Sequence, residues 1–192
     1  MAIKRFAING FGQIELNQVA FRRTGRIEAQ CALDATDFAE AVCENGMLLA
    51  VDKANRVVKF PKDDSLPVAL NYSAEHMYDE RALGLKNFAL RREEKFANGA
   101  VPGILPRLGY LDMGDKFTSN CIAYDDEEFA NDEALVEALE ACKETAVYGG
   151  ACENGCIKLS ATAPAFGPVL KVAKFYTMPD GQPAVMLICH KA

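Results

Sequence analysis

The chain has 192 residues, half of them hydrophobic and a quarter charged, with a formal net charge of −6. That is enough chain to bury a core, as one large domain or two small ones. No apolar run reaches the ~18 residues of a membrane span, no long apolar segment of the secretory kind follows Lys4 and Arg5, and an acidic chain is a poor general binder of nucleic acid.

Charge is unevenly spread. Residues 1–100 carry 14 basic and 14 acidic side chains, whereas residues 101–192 carry 7 and 13. Lys4, Arg5, Arg22, Arg23 and Arg26 face Glu15 alone within the first 26 residues. Two expectations follow: either a basic N-terminal region docks on an acidic partner surface, or the arginines are charges along an exposed strand edge. Phe6 and Phe11 are apolar anchors in the first reading, and Phe6 lies in a core strand in the second. The seven cysteines have no paired spacing, which reads as reduced, buried thiols of a chain made in a cytosol.

In chain order, Ile3 to Gly10 reads as a strand ending at Asn9-Gly10. From Gln13 a helix competes with a hairpin, in which Ile14-Glu15-Leu16 starts a strand, Arg22 to Gly25 turns it, and Arg26 to Leu33 returns. Alternation of Ile27, Ala29, Cys31 and Leu33 against polar neighbours favours the hairpin. Asp37 to Val42 reads as a helical turn or two. Glu44-Asn45-Gly46 is a turn, Met47–Val51 and Val57–Phe60 a second hairpin, and Val68 to Tyr72 a further strand. A helical segment from Ala74 to Tyr78, a turn around Gly84 and a solvated charge run at 91–95 precede the breakers Asn98-Gly99 and Pro102-Gly103. The boundary between a β-rich region, 1–100, and an α+β domain, 101–192, is expected there.

Ile104 to Met113 resumes regular structure, and Lys116 to Tyr124 reads as a strand. Asn131 caps a helix over about 131–144, with Asp132 and Glu133 in its first turn and Leu135, Ala138, Leu139 and Cys142 on one face. Ile157 to Ser160 is a short strand. The final hairpin pairs Val169–Tyr176 with Pro183–Cys189 across Met178-Pro179-Asp180-Gly181-Gln182. The expected fold class is α+β, mainly β, with antiparallel hairpins in a small barrel or sandwich and one helix.

The run Ala7-Ile8-Asn9-Gly10-Phe11-Gly12-Gln13-Ile14-Glu15 resembles the opening of glyceraldehyde-3-phosphate dehydrogenases. The resemblance covers about 34 residues and implies a strand, a glycine turn and an NAD-binding helix, with Gly10 and Gly12 at the pyrophosphate and Asp34 at the ribose. Glu15 stands where the third glycine of that pattern falls, and its carboxylate opposes a phosphate. The family's nucleophilic cysteine, between Ser and Thr-Thr-Asn, has no counterpart; Thr118-Ser119-Asn120-Cys121 has similar residues in another order.

Other chemistry has little footing. His190 and Cys189, adjacent on a strand, point to opposite faces, and His76 has no sequence partner. Cys152 and Cys156 lack the further ligands of a zinc site. Asp125 to Glu128 lacks the spacing of a calcium loop.

Three segments resemble tailed-bacteriophage capsid-associated proteins of the decoration, cement or head-fibre class. They are the Gly46–Pro61 hairpin, Leu105-Pro106-Arg107-Leu108-Gly109-Tyr110 with Gly114 to Asn120, and Gly167 to Val172 with Met178 to Gly181. The resemblance implies a non-enzymatic virion protein made in the host bacterial cytoplasm, present in repeated copies or as a homo-oligomer. Its partners would be the major capsid protein or other virion proteins, with no cofactor, metal, membrane or specific nucleic acid. Lys4, Arg5, Phe6, Phe11, Arg22 and Arg23 are the partner-contact candidates. The alternative is an NAD(P)-binding Rossmann-like domain using Gly10, Gly12 and Asp34.

Overall fold

The computed structural model describes residues 2–74, 85–96 and 99–192, with the side chains of 94–102 left aside. Residues 75–84, where the helical segment after Ala74, the turn at Gly84 and His76 fall, lie outside the described residues. The chain opens with β1 (Ile3–Arg5), β2 (Ile14–Gln18), the single helical turn α1 (Phe21–Thr24), β3 (Ile27–Glu28) and β4 (Ala32–Leu33). Next come β5 (Cys43–Glu44), β6 (Leu48–Asp52), β7 (Val57–Lys59), β8 (Val68–Asn71), a 3-10 turn at Leu85–Asn87 and β9 (Ala89–Leu90). The second half holds β10 (Glu93–Phe96), β11 (Gly99–Pro102), β12 (Leu108–Gly109), β13 (Lys116–Ser119), β14 (Ile122–Asp125) and α2 (Asp132–Glu140). It closes with β15 (Tyr148–Gly150), β16 (Ile157–Ser160), β17 (Val169–Thr177) and β18 (Pro183–Lys191). The fold is α+β and mainly β, as the patterning predicts. Among the described residues no helix is long and apolar enough to cross a membrane.

One eight-stranded sheet has the order β1-β14-β16-β15-β17-β18-β13-β2, and a six-stranded sheet has the order β3-β12-β8-β6-β7-β4. β13 and β14 are consecutive in the chain, yet each stands next to an opposite end of the larger sheet. The segment Lys116–Asp125 therefore ties both flanks together, and the sheet must curl back on itself. A kink at Cys121, where Ile122 N–H turns to the Asn120 carbonyl at 2.9 Å, marks the change of partners.

Residue alternation explains how the sheets share their cores. Ile122, Tyr124 and Leu48 belong to the larger core, which also takes Leu135 and Leu139 of α2. Cys121, Ala123, Leu49 and Val51, on the opposite faces of the same strands, belong to a second core with Leu33, Phe38 and Val58. The expected division near residue 100 is not a boundary of either sheet: β1 and β2 complete the sheet made by later residues, and β12 joins the sheet made by earlier ones.

α2 starts where capping predicts: the Asn131 side chain accepts from Ala134 N–H at 2.9 Å, and Asp132 and Glu133 lie in the first turn. It ends at Ala141, before the expected 144, where Cys142 N–H turns back three residues to the Leu139 carbonyl at 3.3 Å and leaves the four-residue ladder. The terminal hairpin β17–β18 forms in antiparallel register, with Gly181 at φ 83° in its turn. The β6–β7 hairpin forms as expected.

The expected hairpin over 14–33 does not form. β2 pairs with β13 and β3 with β12, in different sheets. Phe21 supplies the physical reason. It is fully buried and sits 5.0 Å from the Tyr72 ring, in space that exists because residue 109 is glycine: a Cβ there would lie 2.5 Å from the Phe21 ring. Burying an aromatic side chain outweighs the alternation of a two-stranded return, so the chain leaves β2 through α1 instead.

Candidate functional site

The N-terminal segment is built into the fold. β1 lies antiparallel to β14. Lys4 Nζ is 3.9 Å from Asp126 and 3.4 Å from the Ala130 carbonyl. Phe6 is 4% exposed and packs in the larger core, so its expected role as an exposed anchor is corrected to that of a core residue. Phe11 is half-buried, with its N–H on the Lys86 carbonyl at 2.6 Å.

Arg5 reaches inward to Glu44, which is buried. Nη1 donates to Oε1 at 2.6 Å and Nη2 donates to Oε2. The Glu44 Oε2 atom also accepts from Gly12 N–H at 2.5 Å. Burial opposes the Arg5 charge, but the hydrogen bonds and attraction of Glu44 more than compensate and hold the guanidinium protonated. Around this pair, Asn71 Nδ2 donates to the Glu44 carbonyl at 2.7 Å, and Gln13 N–H donates to Asn120 Oδ1 at 2.7 Å. The tip of the β17–β18 hairpin holds the outer side of the same loop: Asn9 N–H donates to Gln182 and Gln13 Nε2 to Asp180.

Gly10 and Gly12 therefore lie in a loop between two strands, where the resemblance to the dehydrogenases implies a strand running into a helix. The helix N-terminus that gives such glycines their phosphate affinity is replaced by β2, and the Gly12 N–H already serves the chain's own carboxylate. Asp34 lies just past β4 in the other sheet, where its carboxylate accepts from the N–H groups of Thr36 and Asp37.

Arg22 and Arg23 are exposed on α1, and the fold adds to them. Arg22, Ile27, Tyr72, Ser73 and Arg107 line a cleft of about 260 Å³. Ile27 also lines a neighbouring cleft of about 500 Å³ with Arg26, Lys53 and Tyr110. Arg107 lies 5.9 Å from the Tyr72 ring centre, and Lys53 lies 5.0 Å from that of Tyr110. Arg26 pairs with Asp112, and Lys53 approaches Glu28 at 3.8 Å. Exposed large apolar side chains flank this surface in the chain: Ile104 at 76% and Leu105 at 42% shortly before Arg107, and Met113 at 79% beside Asp112, the partner of Arg26.

Asp115 fixes this surface from below. Its carboxylate is buried and accepts from Ala20 N–H at 2.6 Å and Asp112 N–H at 2.9 Å. It thus joins the start of α1 to the turn carrying Met113. Burial raises its pKa, against the pull of the Ala20 N–H and of Arg26 and Arg23.

The chain's first 26 residues pointed to Arg22, Arg23 and Arg26, but not to Lys53, Arg107 or Met113, which are remote in sequence. Arg107 lies between Pro106 and Leu108, and an arginine inside an apolar run was the available signal. Among the described residues no group of three or more His, Cys, Asp or Glu is placed to hold a metal ion. Comparisons with protein-family models, curated proteins and solved structures give no match.

Proposed function

We propose that this chain is a non-enzymatic virion structural protein that decorates or stabilises a tailed-bacteriophage capsid, in repeated copies and against the major capsid protein. The observation that carries the reading is the surface around α1. It joins a cleft lined by Arg22, Tyr72 and Arg107 to chain segments whose Ile104, Leu105 and Met113 are exposed, and arginine, aromatic and exposed apolar groups are the composition of protein-contact surfaces rather than of ordinary solvated ones. The resemblance of three segments to decoration proteins supplies the partner class, and the basic character of the surface suits an acidic shell. The N-terminal contact expected from the sequence is thereby moved: Arg22 and Arg23 stay in the proposed contact, Lys4 and Arg5 border other parts of the fold, and Phe6 leaves it.

The test is binding of purified protein to phage shells that lack it, alongside mass spectrometry of intact particles. Arg22→Glu/Arg107→Glu is expected to lower shell occupancy at least about tenfold, the equivalent of ~1.4 kcal/mol, and moderate salt to lower it for the unmodified protein. Full occupancy by the charge-reversed protein, or absence of the chain from particles, overturns the proposal.

A further inference from the structure

We propose that Cys121 and Cys156 form a redox-active dithiol, a site of reversible disulfide formation whose oxidant is a small hydroperoxide. The inference stands apart from the docking surface and rests on strand register. β14 and β16 run parallel with Ile122 opposite Ile157, so the preceding residues, Cys121 and Cys156, stand opposite each other too. Ile157 N–H donates to the Cys121 carbonyl at 3.0 Å, which holds the two backbones at ladder spacing at this point. Neighbouring strands lie about 4.8 Å apart, inside the Cα separation of roughly 4.4–6.8 Å that a disulfide spans. The two sulfurs are 3.8 Å apart, with the Cys121 S–H directed at Cys156. Side-chain rotation, without movement of either strand, is what bond formation requires.

The surroundings are polar on one side. A Cβ at residue 12 would lie 2.7 Å from Cys121 Cβ and 3.0 Å from its sulfur, so Gly12 makes room for the thiol. The charges of the Arg5–Glu44 pair act on both thiols, Arg5 favouring and Glu44 opposing their ionisation. Hydrogen bonding from Cys121, helped by the Arg5 charge, lowers the pKa of Cys156 despite its burial. The same hydrogen bond and burial push Cys121 up. Cys156 is thus the more acidic of the two thiols and is assigned the attack, through its thiolate form, with Cys121 as the resolving thiol.

The Cys156 thiolate attacks the terminal oxygen of the hydroperoxide: an S–O bond forms, the O–O bond breaks, and the alcohol or water leaves after taking a proton. Cys121 then gives up its proton and attacks the Cys156 sulfenic acid; the S–S bond forms, the S–O bond breaks, and water leaves. Two thiols and one hydroperoxide become one disulfide, one alcohol or water, and one further water. Burial of both sulfurs restricts the oxidant to a small molecule and disfavours bulky disulfides.

The folded full-length chain is treated with hydrogen peroxide, quenched with catalase, alkylated with N-ethylmaleimide in denaturant and mapped without reduction. The expected result is that five of the seven cysteines remain alkylatable, that a Cys121–Cys156 cross-linked peptide appears, and that dithiothreitol abolishes it. The Tm of the oxidised chain rises by roughly 5–10 °C. Cys142→Ser retains the cross-link and Cys156→Ser loses it. Seven alkylatable thiols after peroxide, sulfinic acid at Cys156 without a link, or a link through other cysteines overturns the proposal. The map of the unmodified protein decides the matter even where Cys156→Ser does not fold.

Discussion

Glu44→Gln tests whether the N-terminal segment is part of the fold or an appended arm. The substitution keeps side-chain shape but removes the charge opposite Arg5, and it turns an NH2 group toward donors that Glu44 now satisfies: the Arg5 guanidinium and Gly12 N–H. Breaking a fully buried ion pair by changing one partner costs about 3–5 kcal/mol. The Arg5 side chain is 35% exposed, so water recovers part of that solvation and the figure falls to about 2–3 kcal/mol. For a chain of this length that corresponds to a Tm lowered by roughly 4–12 °C. Urea unfolding of the single variants and of Arg5→Met/Glu44→Gln gives the coupling energy, expected at about 1–2 kcal/mol. A Glu44→Gln protein within about 0.5 kcal/mol of the unmodified chain, the scatter of ordinary surface changes, would refute the reasoning. Deletion of residues 1–6 removes the same pair together with buried Phe6, so the truncated chain is expected to melt well below the full one rather than retain its stability.

Three further outcomes are expected. Asn131→Ala removes the cap of α2 and costs about 1 kcal/mol, measurable by urea unfolding. Gly109→Ala places a methyl against the Phe21 ring and costs about 1–3 kcal/mol; thermal melting checks it, and a neutral result removes the explanation given for α1. Asn55 side-chain and backbone donors, aided by Lys59, depress the Asp52 pKa to about 2 from its ordinary 3.8. A depressed carboxylate stabilises above its unfolded pKa and loses that contribution as pH falls through the folded one, so the stability gap between the unmodified protein and Asp52→Asn narrows between pH 4 and 2.

Local signals were legible where one segment decides its own structure. Asn131 with Asp132 and Glu133 starts a helix without tertiary help, and the Pro179-Asp180-Gly181 turn fixes the last hairpin. What the sequence left hidden depends on residues far apart in it. Glu44 read as part of a polar turn, because nothing nearby indicated that Arg5 would meet it. The alternation at 27–33 was divided between β3 and β4, with partners at 108–109 and 57–58. Nothing around Gly114-Asp115 in the sequence marks Asp115 as a residue whose carboxylate is buried.

That burial bears on how the surface around α1 binds. Association loses affinity for every loop and side chain that must be ordered at the interface. Here α1 is a single turn, too short to hold itself together in water, yet Phe21 fixes it from inside and Asp115 accepts the N–H before it. Arg107 is fixed through its own backbone, whose N–H donates to Ser73 Oγ at 2.9 Å. Part of the ordering cost is therefore met during folding, before any partner arrives. Weakening the support should then weaken binding without touching the contact residues: Asp115→Asn, which keeps a side chain of the same size but removes the charge beside Arg23 and Arg26 and leaves one backbone N–H facing an amide, is expected to lower shell occupancy while Arg22, Arg23 and Arg107 remain in place. The measurement is shell occupancy against protein concentration at fixed salt, with a thermal melt to verify folding. Unchanged occupancy by a folded Asp115→Asn protein would show that the preformed shape of this surface contributes nothing to docking.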